Sequence, residues 1–188
     1  TNLTITNALS ITTGIVGGNA NITAGETTVN TLNVTGDLTA DVTTLTAGTI
    51  DVEGTAIVKA DSAEITTLDV GEDAKLTIIN ELNITTGTVG GEATINAGDT
   101  TVDTLTVKGT LTADLKSLTV KTLLDVDGEA TITVAESLTA ETIDVAEKAT
   151  IKADSAEIKT LNVGADADLE ITKNGKTGKT KVTCSKIV

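Results

Sequence analysis

The 188-residue chain contains no Phe, Tyr, Trp, Met, His, Pro or Arg, and a single cysteine. Each absence closes a route. Without aromatics or methionine nothing can fill wide, irregular interior space, so a core of Leu, Ile, Val and Ala must be thin and regular. Without proline, no backbone N–H is missing from a strand ladder. Cys184, being alone, excludes an internal disulfide and leaves only an intermolecular one. With neither His nor Arg, and no aromatic platform to hold a sugar ring, acid–base and glycoside-cleaving chemistry lack their usual residues. The expectation is no enzyme, no catalytic residue and no cofactor. No apolar run is long enough to span a membrane. No signal peptide precedes Thr1, which fits a processed secreted protein or a trimmed fragment.

What is present is threonine, small β-branched and aliphatic residues, and acid. Net charge is −14, unevenly spread. The last sixteen residues, KNGKTGKTKVTCSKIV, hold five lysines and no acid, which leaves 8 lysines against 27 acids in the first 172. An acidic body disfavours nucleic acid, whose phosphates need a basic surface. A basic end on an acidic body suggests ends that attract other copies.

Internal repeats set the frame. A motif of Thr, aliphatic, polar, aliphatic reads TLNV at 31–34, TIDV at 49–52, TLDV at 67–70, TLTV at 104–107, TIDV at 142–145 and TLNV at 160–163. Two further apolar pairs follow it in each period, such as Leu38/Ala40 with Leu45/Ala47, and Ala149/Ile151 with Ala156/Ile158. Alternation places two side chains per short strand inside, with the residue between them outside. Three such strands per period of about 18 residues predict an all-β fold, a three-sided parallel β-solenoid of nine or ten coils. Gly36, Gly54, Gly71, Gly109, Gly128 and Gly164 fall at the corners. The uneven spacing of Leu32, Leu38, Leu45 and Ile50 favours a right-handed coil over the even spacing of left-handed hexapeptide helices.

The repeat is itself duplicated. ITTG at 11–14 returns at 84–87, an offset of 73, whereas KADSAEITTLDVG at 59–71 returns as KADSAEIKTLNVG at 152–164, an offset of 93. Residues 11–79 and 84–172 are therefore two copies, and the second contains one extra coil near 122–141. A solenoid absorbs such an insertion by lengthening along its axis. The solenoid is expected over 1–172, with a basic strand or tail over 173–188.

The outward columns carry the candidate sites. Thr31, Thr49, Thr67, Thr86, Thr104, Thr122, Thr142 and Thr160 form a corner column whose hydroxyls could bond along the axis. Beside it run Asn33, Asp51, Asp69, Thr88, Thr106, Asp125, Asp144 and Asn162. Of these, Asp51, Asp69, Asp125 and Asp144 are the one place where calcium could bind. The GGxGxD loops of calcium-binding solenoids are absent, so a screened acidic face without metal is expected. The third face offers Thr44/Thr46, Ser117/Thr119 and Ser137/Thr139, but Ser62/Glu64, Glu81/Asn83 and Ser155/Glu157 break it, which argues against ice binding. N-x-T sequons occur at Asn2, Asn21, Asn33 and Asn83, a pattern expected in so threonine-rich a chain and mildly in favour of export.

Neither end carries an amphipathic helix to cap the core, and TKVTCSKIV is itself strand-like. The assembly residues expected from this are Lys173, Lys176, Lys179, Lys181, Cys184 and Lys186, with the N-terminal edge at Leu3 and Ile5.

The run GDLTADVTTLTAGTIDVEG (36–54) resembles the repeats of haemagglutinin-type surface adhesins, and TIDVAEKATIKADSAEIKTLNVGADADLEI (142–171) resembles bactofilins. The first resemblance implies a right-handed β-solenoid at a cell surface, and the second a filament that polymerises end to end without nucleotide. The expected role is a structural protein that assembles head to tail with copies of itself into an extracellular filament, sheath or surface layer. A stalk or passenger segment of an adhesin, or a bactofilin-like cytoskeletal filament, is the alternative. The expected partners are other copies of the chain, with no nucleic acid and no membrane-spanning segment.

Overall fold

The structure is a computed structural model that describes residues 2–5, 7–71, 75–165, 167–173 and 181–187. Among these it contains strands and no helix: β1 (Asn2–Thr4), β2 (Leu9–Val16), β3 (Ala20–Val34), β4 (Asp37–Val52), β5 (Thr55–Val70), β6 (Lys75–Val89), β7 (Glu92–Val107), β8 (Thr110–Val126), β9 (Glu129–Val145), β10 (Lys148–Val163), β11 (Asp168–Thr172) and β12 (Lys181–Ile187). They stack as one parallel sheet in chain order, making a β-solenoid of about nine turns. Each of β3 to β10 runs round a whole turn, so the three short strands expected per coil are the three sides of one bent strand. β1 and β2 share the first turn, stacked on β3, while β11 and β12 share the last, stacked on β10.

Registry follows the periods read from the sequence. Leu38 stands opposite Ala56, Leu45 opposite Ala63 and Ile50 opposite Leu68. The sides are unequal. On the first side three residues point inward rather than two, as with Leu38, Ala40 and Val42, or Ala149, Ile151 and Ala153, all buried. That extra inward residue lengthens the step from Leu38 to Leu45. Residues 122–141 comprise the last side of β8 and the first two sides of β9, with Ala130, Ile132, Leu138 and Ala140 buried in the common core.

One column departs from expectation. β8 carries an extra residue where it turns onto its last side, and Thr104 is opposite Leu123 rather than Thr122. Thr122 is exposed in the bulge, and half-buried Leu123 takes its place in the column. Nor do the column's hydroxyls bond to one another among the described residues. Coils repeat at ~4.8 Å, beyond the reach of one hydroxyl to the identical hydroxyl above it.

The corners keep the ladder continuous. Thr35 and Gly36 both donate their N–H to the Val16 carbonyl at 2.9 Å, and Glu53 with Gly54, Lys108 with Gly109 and Asp127 with Gly128 do the same to Val34, Val89 and Val107. For two successive N–H groups to converge on one oxygen, the backbone must pass close over the coil beneath. A Cβ on Gly36 would lie 2.6 Å from the Gly18 carbonyl oxygen, and one on Gly128 would meet the Gly109 and Lys108 carbonyls. Gly87 is small for a different reason: a Cβ there would come within 2.8 Å of the Leu105 Cδ1, which leans into the space.

Two polar side chains sit inside. Thr27 and Thr100, related by the 73-residue offset, take inward positions between Leu9 and Leu45 and between Leu82 and Leu118. They are 6% and 4% exposed, and their hydroxyls have no hydrogen-bond partner. A buried, unbonded hydroxyl costs stability that an isosteric methyl does not. Thr27→Val and Thr100→Val are expected to stabilise the fold by about 1 kcal/mol each, read as a higher denaturant midpoint. Gly36→Ala and Gly128→Ala are expected to destabilise by about 1–3 kcal/mol, because the clash is with backbone that cannot withdraw. Gly87→Ala should cost less in the same assay, since only the end of a leucine must move.

Candidate assembly surfaces

The solenoid distributes its outward residues over three faces and two ends. On the third side, β4 places Asp51 opposite Asp69 of β5, and β8 places Asp125 opposite Asp144 of β9, with Thr88 and Thr106 separating the two pairs. The four aspartates thus share one column. Among the described residues no three acidic, His or Cys side chains gather as a metal would need. The Asp125 carboxyl lies above its ordinary pKa, first because of partial burial and then because Asp127 and Asp144 repel its charge, with Lys108 opposing. Asn162 Nδ2 lies 3.5 Å from Asp144 Oδ2 at the C-terminal end of the column.

Among the described residues four lysines brace neighbouring coils at the corners. Lys116 pairs with Asp99 at 3.2 Å, Lys121 with Asp103 at 2.9 Å and Lys148 with Glu129 at 2.7 Å, while Lys159 pairs with Glu141. Ser117 donates to Asp99 at 2.8 Å, and this bond, followed by that from Lys116, holds the Asp99 carboxyl below its usual range. The side chains of these pairs are all at least 39% exposed, so each pair adds little to stability. The corner residues Lys121, Glu141 and Lys159 flank a shallow groove of about 470 Å³ over Thr119, Thr139 and Glu157.

A column on the first face was not singled out from the sequence. Thr77, Thr94, Thr112, Thr131 and Thr150 stand in unbroken register through β6 to β10. The signal was available in the triplets LTI, ATI, LTA, ATI and ATI, whose aliphatic flanks drew attention away from the residue between them. On the side that carries Thr44 and Thr46, between the first side and that of the aspartate column, these two are followed in register by Ser62 and Glu64, and these by Glu81 and Asn83, the interruptions expected.

The ends hold the expected assembly residues. At the N-terminal end Leu3 is in register with Ile22, and Ile5 is half-buried against the core, its N–H donating to the Thr23 carbonyl at 2.8 Å. Leu9 and Ile11 are also half-buried there, and Ile15 is 73% exposed. A depression of about 600 Å³ opens among Ile11, Ile15, Val16, Ala20, Ile22 and Leu32. At the other end Lys181, Cys184 and Lys186 lie on β12, opposite Ser155, Ile158 and Thr160 of β10. Half-buried Lys173 follows β11, and Lys176 and Lys179 lie outside the described residues. Within one chain the two groups are at opposite ends of the rod. They are not charge complements: residues 1–25 include no acid and no lysine, and the first charge is Glu26. The first turn therefore offers the C-terminal lysines no opposite charge.

No family model matches the sequence, and no curated protein or solved structure matches it.

The raised pKa of Asp125 has a definite sign. The folded state holds the proton more tightly than the unfolded chain, so the carboxyl's unfavourable contribution is absent at low pH and grows as pH rises from the unfolded value through the folded one. Asp125→Asn is expected to raise the melting temperature at pH 7, with the gain disappearing below about pH 4, where a free aspartate is protonated. Melting curves across that range check it.

Proposed function

We propose that this chain is a structural subunit that polymerises with copies of itself, head to tail through its terminal coils, into an extracellular filament, sheath or surface layer. The observation that carries the reading is the identity of the coils as stacking units. From β1 to β12 every pairing is parallel, with like positions opposite like. In this geometry a further coil adds by translation along the axis, at either end, with no change of shape. Within the chain, the outer edges of β1 and β2 and of β11 and β12 pair with no other described strand. Such edges recruit another strand unless something covers them.

Further support comes from the surface of the first turn. An uncharged coil with Ile5, Leu9 and Ile11 half-covered and Ile15 exposed resembles an interior coil more than a solvated cap. Placement outside the cell rests on the sequence: a single cysteine, no methionine to oxidise, and the N-x-T sequons.

Electron microscopy of the purified 188-residue chain tests the reading. About nine turns at ~4.8 Å each give a subunit rise of ~43 Å along a filament. Fibres a few nanometres wide with that axial repeat are expected. Single short rods at every concentration, salt and pH would overturn the proposal and leave a segment whose ends are met by other parts of a longer protein, as the adhesin alternative requires.

A further inference from the structure

The duplication inside the chain indicates which surface the first coil fits. The first turn, NLTITNALSITTGIVGG (2–18), is a close copy of KLTIINELNITTGTVGG (75–91), the interior turn that contains β6. β6 rides on β5, with Leu76 opposite Ala56, Ile78 opposite Val58, Leu82 opposite Ala63, Ile84 opposite Ile65, Gly87 opposite Leu68 and Val89 opposite Val70. Leu82 thereby stands over the small Ala63 and Gly87 over the large Leu68, and the Leu68 and Val70 side chains are covered to 1% and 0% exposure.

That platform also has a twin. β10 repeats β5 position for position: Ala149, Ile151, Ala153, Ala156, Ile158, Leu161 and Val163 against Ala56, Val58, Ala60, Ala63, Ile65, Leu68 and Val70. The coil that rides on β10 is a diverged one. β11 brings Leu169 and Ile171 to the places of Leu76 and Ile78, and β12 brings Val182, Cys184 and Ile187 to those of Leu82, Ile84 and Gly87. Their described pairing stops at Leu161 opposite Ile187. Leu161, beneath Ile187, is 7% exposed against 1% for Leu68 beneath Gly87.

The first coil has the residues the twin platform is shaped for, Leu3, Ile5, Leu9, Ile11, Gly14 and Val16, but it lies at the far end of the rod. It can reach β10 only in another copy. We propose that residues 2–16 of one copy replace β11 and β12 on the outer edge of β10 of the next, in the register that β6 takes on β5. The glycine completes the match. Inside the chain Leu68, Gly87 and Leu105 form a three-layer column in which Leu105 fills the space over Gly87. Gly14 has the same relation to Leu32, whose Cδ1 would lie 3.1 Å from a Cβ there. Docking the first coil therefore rebuilds the column as Leu161, Gly14 and Leu32. The last turn is on this account a placeholder, holding the platform dry until a second copy takes it by strand exchange.

The inference rests on the head-to-tail reading and refines it, and disulfide trapping separates the two. In a Cys184→Ala background, copies with Thr13→Cys are mixed with copies carrying either Thr160→Cys or Lys186→Cys, with oxidised glutathione as oxidant. Exchange sets position 13 beside 160, as Thr86 stands beside Thr67, within the Cα separation a disulfide needs. Simple stacking on an intact last turn sets 13 beside 186 and leaves 160 one coil away. The expected result is a linked dimer with Thr160→Cys and none with Lys186→Cys. A second pair, Ser10→Cys with Glu157→Cys, occupies the places of Asn83 and Glu64 and should link equally. Dimers with Lys186→Cys alone would overturn the exchange while leaving head-to-tail polymers standing. No dimer in any mixture would overturn both.

Discussion

Everything in this molecule depends on the backbone ladder closing on itself at the same height, turn after turn. The Val column shows how tightly that is enforced. At the corners of Gly36, Gly54, Gly109 and Gly128 a valine carbonyl accepts two successive N–H groups from the turn above, and at Gly71 and Gly164 it accepts one, so the ladder carries on into the bend. The glycines follow from this, because a side chain would strike the carbonyls over which the backbone passes. The missing proline follows too, since each N–H in the ladder has a use. With the ladder fixed, the interior is a stack of aliphatic layers, each supplied by one turn and in contact only with the layers above and below.

That arrangement is why so much was legible beforehand. A residue's inward or outward state depends on its place in a turn of about 18 residues, and the columns Leu32–Ile50–Leu68 or Asn33–Asp51–Asp69 could be written down from the sequence alone. The offset change from 73 to 93 gave the extra turn for the same reason. Failures came where one residue breaks the period. KTLLDV at 121–126 holds a threonine and two leucines in a row, and Thr122 was read as the heir to the corner column, a place that Leu123 takes instead. The choice was settled by where the β8 bulge falls, which depends on packing of Leu124 over Leu105. The third inward residue of the first side was hidden likewise, because Val42, Ala60 and Ala153 stand next to a corner, where alternation stops being a guide.

The surface was harder to read than the core. Outward columns obey no packing rule, so the sequence suggests several uses for them without ranking the uses. Stacked aspartates are held apart by Thr88 and Thr106, and the threonine faces are interrupted by acids on one side while running unbroken on another. The ends are more decisive, since coil surfaces have shapes as well as charges. A platform lined by Ala56, Ala60 and Ala63 is a different object from one lined by leucines, and the chain contains that platform twice.

The corner ion pairs share a direction. In Lys116–Asp99, Lys121–Asp103, Lys148–Glu129 and Lys159–Glu141 the cation sits one turn nearer the C-terminal end than its anion. Each pair is thus a small dipole along the rod axis, and all four point the same way. With a charge-free first turn at one end and five lysines within the last sixteen residues at the other, the rod is electrically polar even though no helix contributes. Such dipoles add when rods follow one another along a common axis and cancel when rods lie side by side in opposite directions.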